Sequence, residues 1–122
     1  MTLLLVALGG ALGSVLRYKI DGWVQAGAGG AFPWGILFVN VTGCFVAGLL
    51  MTFLLERTSV SDEVRTGLLV GVLGGYTTFS TFSLQSLDLA DAGLWGYVAV
   101  NVLASVAGAL LAVWLGQQLA RL

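Results

Sequence analysis

The feature that most constrains this chain is the length of its uncharged runs. Residues 1–16, 22–55, 66–87 and 92–120 contain no Asp, Glu, Lys or Arg. A helix that crosses the hydrocarbon core of a membrane needs about 20 mostly apolar residues. The runs therefore predict an all-α integral membrane protein with one domain, residues 1–122, and four transmembrane helices at about residues 3–23, 34–55, 62–89 and 94–119.

Composition excludes several other classes of protein. Charged residues make up 9% of the chain, against about 25% in an average soluble domain. The net charge of −1, without a basic patch, gives nucleic-acid binding no electrostatic basis. The absence of histidine excludes a His-based triad, and the lone Cys44 excludes an internal disulfide and a cysteine-cluster metal site. We therefore expect no enzyme and no nucleic-acid partner.

Helix-boundary signals agree with the four spans. Pro33 lies where a proline opens a helix, and Trp34 follows at the depth of the membrane interface. Ser61 precedes Asp62 and Glu63, a pattern typical of an N-cap with acidic residues near the positive end of the helix dipole.

The basic residues leave the orientation in the membrane open. Four spans place Arg57, Arg65 and Arg121 on one side of the membrane, and Arg17 and Lys19 on the other. The positive-inside rule needs a clear excess on one side. A split of three to two favours dual topology, in which copies insert both ways and pair antiparallel. The alternative is a single orientation decided by the amino-terminal charge.

Small residues recur at every fourth position in several spans, as in Gly67, Gly71 and Gly75. This spacing allows helix backbones to approach closely in lipid. Four such narrow helices cannot enclose a wide pore, so the pattern also indicates an oligomer.

The third span contains a dense polar cluster from Gly74 to Ser83, with sequence GGYTTFSTFS. Two glycines followed by two threonines disfavour a helix centre, so we predict a break near residues 74–78. A break would free backbone carbonyls that can ligate a small hard cation. The hydroxyl groups that follow can solvate an ion, or bond back to the carbonyl one turn earlier.

Neutral donors and aromatic rings favour an anion. Phe79 and Phe82 share a helix face, and phenyl ring edges carry positive potential. Asn40 offers an amide donor in the second span, and no acidic residue lies near a span centre. This absence argues against a proton-coupled antiporter. Arg17 could draw anions into a vestibule or extend toward water.

Together these residues resemble the Fluc (CrcB) fluoride channels of bacteria. The resemblance covers nearly the whole chain and rests on three motifs: Gly9-Gly10, Gly13 and Arg17-Tyr18; Asn40-Val41-x-Gly43; and Gly74-Gly75-x-Thr77-Thr78-Phe79-Ser80-Thr81-Phe82-Ser83. It implies passive, fluoride-selective efflux through an antiparallel dual-topology homodimer with two pores. The location implied is the bacterial cytoplasmic membrane.

The resemblance also implies roles for particular residues. The fluoride pathway would use Asn40, Phe79, Ser80, Thr81, Phe82 and Ser105, with Arg17 toward a vestibule. A structural sodium ion at the dimer centre would be held by main-chain carbonyls of Gly74 and Thr77. One departure is Gln85, where the family commonly has glutamate. The alternatives are a four-helix dimeric transporter of drugs or metabolites and a non-transporting structural subunit.

Overall fold

The computed structural model describes all 122 residues, and every regular element in it is helical. The elements are α1 (Thr2–Ala28), α2 (Trp34–Glu56), α3 (Asp62–Thr66), a π-helical segment (Gly67–Leu73), α4 (Gly74–Tyr76), α5 (Phe79–Asp91) and α6 (Trp95–Arg121). Four stretches are long and apolar enough to cross a membrane: Thr2–Ala28, Trp34–Glu56, Asp62–Asp91 and Trp95–Arg121. The prediction of an all-α membrane protein with four spans is confirmed.

Side-chain hydrogen bonds hold two of the span boundaries. Val64 N–H donates to Ser61 Oγ at 3.4 Å, which confirms Ser61 as an N-cap. Helix α1 continues past the expected end near residue 23 to Ala28. Near that end, Gln25 Nε2 donates to the Phe32 carbonyl at 3.1 Å, and Gln25 Oε1 accepts from Gly35 N–H at 3.2 Å. This one side chain ties the end of α1 to the loop and to the start of α2.

The third span is not one regular helix. The π-helical segment Gly67–Leu73 lies in its first half, and nothing in the sequence pattern predicted it. This segment packs against α1 at a contact between glycines. A Cβ atom at Gly9 would lie 2.6 Å from the Gly67 carbonyl oxygen, so neither backbone leaves room for a side chain there.

The helices pack around one another through several faces. Helix α1 lies against the π-helical segment, α4 and α2, whereas α2 pairs mainly with α6, and α5 packs on α6. Gly48 faces the backbone of Val113, and Gly116 faces the backbone of Phe45, so α2 and α6 also meet through glycines. The predicted small-residue faces therefore serve packing within one subunit. This packing places the start of α5 beside α2 and α6.

Candidate functional site

The centre of the third span is an extended dipeptide. Thr77 (φ −80°, ψ 154°) and Thr78 (φ −151°, ψ 126°) separate α4 from α5 about midway along Asp62–Asp91. Thr78 caps α5, because its Oγ1 accepts a hydrogen bond from Thr81 N–H at 3.2 Å. β-branched side chains favour this extended conformation. The backbone therefore turns out of helical geometry at membrane depth.

Asn40 on α2 holds this dipeptide through both sides of its amide. Its Nδ2 donates to the Thr78 carbonyl at 2.8 Å, and its Oδ1 accepts from Thr78 N–H at 2.8 Å. The carbonyl and the N–H of Thr78 together identify the amide oxygen of Asn40, since only the oxygen can accept from an N–H. One N–H of Asn40 is not used by Thr78. Asn40 thus positions the break and keeps a donor available.

Two backbone carbonyls next to the break lose their helical donors. The amide one turn after Gly74 is that of Thr78, and it donates to Asn40 instead. The amide one turn after Thr77 is that of Thr81, and it donates to Thr78 Oγ1. No turn, loop or cap hydrogen bond ends on the carbonyl of Gly74 or Thr77. Both oxygens remain available to ligate a cation.

Asn40 also lines a cleft of about 340 Å³ between α2, α5 and α6. Phe79, Phe82 and Ser105 line the same cleft, and so does Thr78. The two phenyl rings lie 5.3 Å apart with their planes inclined at 43°. Phe82 is 8% exposed and Phe79 is 78% exposed in a single subunit. Four of the predicted pathway residues, from three spans, are therefore brought together.

The remaining predicted pathway residues do not line this cleft. Ser80 and Thr81 join a hydroxyl cluster around Thr78, whose Oγ1 donates to Thr81 Oγ1 at 3.2 Å. Because the single hydroxyl proton of Thr78 is used there, the Ser80 hydroxyl donates in the 3.2 Å contact with Thr78. The Thr81 proton has no acceptor in the chain. Arg17 lies on α1, away from the cleft.

Thr78 belongs to the polar cluster that the sequence indicated, but its own role in the site was not predicted. It caps α5, presents both backbone polar groups to Asn40 and organises the neighbouring hydroxyls. The signal available for it was local: a threonine placed directly before a new helix start is a typical N-cap. Its pairing with Asn40 joins residues 38 positions apart, which spacing along the chain does not indicate.

Gln85 lies one helical turn beyond Phe82 on α5. Its Oε1 is buried and has no hydrogen-bond partner in the chain. It lines a second cleft of about 290 Å³ with Gln25 and Asp88. The amide therefore presents a neutral acceptor where the resembled family commonly has a carboxylate.

The cleft is mostly apolar, carries no formal charge, and has one amide, three hydroxyl residues and two phenyl rings in its lining. No acidic or basic side chain is among its lining residues. An unused amide N–H and the positive edges of two phenyl rings complement a small anion. Fold and site together define a multi-pass membrane protein with an uncharged, mostly apolar cleft at the depth of the span centre.

The comparisons with known proteins agree with this class. Residues 4–117 match the family described as "CrcB-like protein, Camphor Resistance (CrcB)". The chain is 50% identical over 121 residues to the "Fluoride-specific ion channel FluC" of Geobacter metallireducens, covering 99% of this chain and 98% of that protein. It is also 50% identical to proteins of the same name from Rhizobium meliloti (98% and 95% covered) and Geobacter sulfurreducens (98% and 97% covered). The chain belongs to the CrcB family.

Proposed function

We propose that this chain forms a fluoride-selective channel that lets fluoride leave the cell passively. The observation that carries the proposal is the 50% identity, over nearly the full length, to relatives named fluoride-specific ion channels. The cleft supports it, because its neutral donors suit a small anion. The protein is not an enzyme. The test is fluoride flux through the purified protein in liposomes, set against chloride flux.

The physical problem for such a channel is the hydration of fluoride. A small anion entering the membrane core must exchange its water for other donors at little cost. Asn40, Phe79 and Phe82 line the same cleft. There the free amide N–H and the edges of the phenyl rings would replace water around the ion. A fixed positive charge there would bind the ion tightly and slow its release. Neutral donors allow entry and exit.

The membrane potential can drive fluoride out of the cell without the coupled movement of another ion. Fluoride enters cells as the neutral acid, which releases the anion in the cytoplasm. A membrane potential of about 100 mV is worth about 2.3 kcal/mol per charge, or about a fiftyfold lower equilibrium concentration inside. A passive anion path in the bacterial cytoplasmic membrane therefore lowers cytoplasmic fluoride. The cleft lacks the carboxylate that a proton-coupled drug transporter would use.

The working unit in this proposal is an antiparallel homodimer. Ser80 and Gly74 are exposed in a single subunit although they lie near the middle of the third span. Lipid cannot satisfy the free carbonyls of Gly74 and Thr77, so this face needs a polar or protein partner. A second copy supplies one. The three-to-two split of basic residues supports insertion in both directions.

Dual topology is tested by labelling single cysteines in intact cells with a membrane-impermeant maleimide. Ser59 and Ala92 are exposed residues in loops on opposite sides of the membrane in any one copy. In a Cys44→Ser background, S59C and A92C are each expected to label to about one half, because copies insert both ways. Full labelling of one variant and none of the other would show a single orientation.

A structural sodium ion fits the carbonyls at the break. Sodium is a hard cation that takes oxygen ligands, and unwound backbone at membrane depth supplies them in transporters. Gly74 and Thr77 each present an unbonded carbonyl, and a dimer would bring two such pairs together. Its positive charge would attract the carbonyl oxygens of both subunits and so hold the two helix breaks next to each other. Protein purified in sodium should therefore melt at a higher temperature than protein purified in potassium, and equal melting would argue against the site.

A further inference from the structure

A chain of three side-chain hydrogen bonds connects α5 to the cleft through α6. Ser86 Oγ donates to the Phe82 carbonyl at 2.8 Å, and Asn101 Nδ2 donates to Ser86 Oγ at 3.0 Å. Ser105 Oγ donates to Asn101 Oδ1 at 3.4 Å. Asn101 is 1% exposed, which makes it one of the two most deeply buried large side chains. Ser105, at the end of this chain, lines the cleft.

The direction of each hydrogen bond in this chain follows from the one before it. The single proton of Ser86 is used on a backbone carbonyl, so Ser86 can only accept from Asn101. Asn101 must therefore place its NH₂ group toward Ser86, which turns its oxygen toward Ser105. An amide oxygen only accepts, so the Ser105 proton points to Asn101. In the absence of an ion, this proton points away from the cleft.

The acceptor of the Ser105 proton differs from that of four other hydroxyl residues in the spans. Thr42, Thr77, Ser83 and Ser86 donate to the backbone carbonyl one turn earlier. Ser105 donates to a side chain, across a distance longer than the usual 2.7–2.8 Å or so for a hydroxyl donor. Such a bond is weak, so the proton can turn without disturbing the helix backbone.

We propose that Asn101 is a positioning residue that controls when Ser105 donates to a passing fluoride ion. The proposal rests on the proposed function. With the cleft empty, Asn101 holds the Ser105 proton. When fluoride reaches the cleft, the hydroxyl rotates and donates to the anion, which leaves Asn101 Oδ1 without its partner in a buried place. That loss partly offsets the new hydrogen bond, so fluoride is held weakly at Ser105 and moves on.

The test measures the fluoride concentration that gives half-maximal efflux from proteoliposomes. Asn101→Leu removes the acceptor, and Ser86→Ala removes the partner that orients the Asn101 amide. The first change frees the Ser105 proton for the anion directly. The second lets the Asn101 amide turn its NH₂ group toward Ser105, which then accepts from Asn101 and keeps its own proton for the anion. We expect each to lower the half-saturating concentration by about twofold to tenfold, the range of one neutral hydrogen bond, and also to lower the maximal rate. Ser105→Ala should raise that concentration.

Two further variants separate this mechanism from a structural effect. If Asn101 acts through Ser105, the double variant N101L/S105A should match S105A alone. Thr58→Ala is the control, because Thr58 lies outside the cleft, bonds back to the Leu54 carbonyl and does not contact Asn101. It should leave the half-saturating concentration unchanged.

The proposal is overturned if N101L and S86A raise the half-saturating concentration, leave it unchanged, or shift it in the S105A background too. Should N101L fail to fold, S86A alone decides, since it removes one hydroxyl. Failure of this proposal can be told apart from failure of the proposed function. If the protein were not a fluoride channel, the wild-type protein itself would carry no fluoride in the same vesicles.

Discussion

Replacing Phe82 or Phe79 by isoleucine is expected to slow fluoride efflux from loaded liposomes by about twofold to tenfold. Isoleucine is apolar but has no ring edge, so the anion loses a stabilising contact on its path. Each factor of ten corresponds to about 1.4 kcal/mol in the barrier, and an aromatic edge contact is worth about 0.5–1.5 kcal/mol. The measurement is the initial rate at a fluoride electrode after the vesicles are made permeable to a counterion.

The two phenylalanines allow a check against loss of folding. Phe82 is 8% exposed, so F82I also removes core packing, whereas Phe79 is 78% exposed and F79I should leave the melting temperature of the subunit unchanged. Phe53→Ile is the matched control, because Phe53 is exposed on α2 and lies outside the cleft. Wild-type rates in both F79I and F82I would contradict the aromatic-edge mechanism.

Replacing Asn40 by aspartate should have the largest effect of any single change. The substitution keeps the shape and the acceptor for Thr78 N–H, but it removes the donor to the Thr78 carbonyl. It also places a carboxylate beside the anion path. Two like charges about 4 Å apart repel by about 4 kcal/mol at an effective dielectric constant of 20, which corresponds to roughly a thousandfold slower flux.

Gln118→Glu is the matched control for N40D. It makes the same change from amide to carboxylate on α6, away from the residues that line the cleft. We expect Q118E to conduct at nearly the wild-type rate. If N40D also conducted normally, Asn40 would lie outside the fluoride path.

The architecture was predictable from sequence because its signals are local. Uncharged runs separated by charged clusters define the spans, and Ser61 followed by acidic residues defines a helix start. The family could also be recognised, because the motif from Gly74 to Ser83 is contiguous. Each of these patterns involves residues close together in the chain.

The interior of the site was less predictable because it depends on how the spans pack. That Asn40 bonds the backbone of Thr78, and that Ser105 shares their cleft, follows from the packing of α2, α5 and α6 around one cleft. The π-helical segment at Gly67–Leu73 could not be predicted, because its residues are all apolar or glycine and show no polar–apolar periodicity. Dimer topology and the sodium ion concern a second copy and a ligand, and both remain predictions.

The most direct test of the central claim is ion efflux from liposomes that contain only the purified protein. Vesicles loaded with equal fluoride and chloride are opened to a counterion, and both anions are followed outside by selective electrodes. We expect rapid fluoride release with chloride retained, because the neutral cleft can replace the water around the small fluoride ion but does not fit the larger chloride ion. Equal release of both anions, or release of neither, would contradict it.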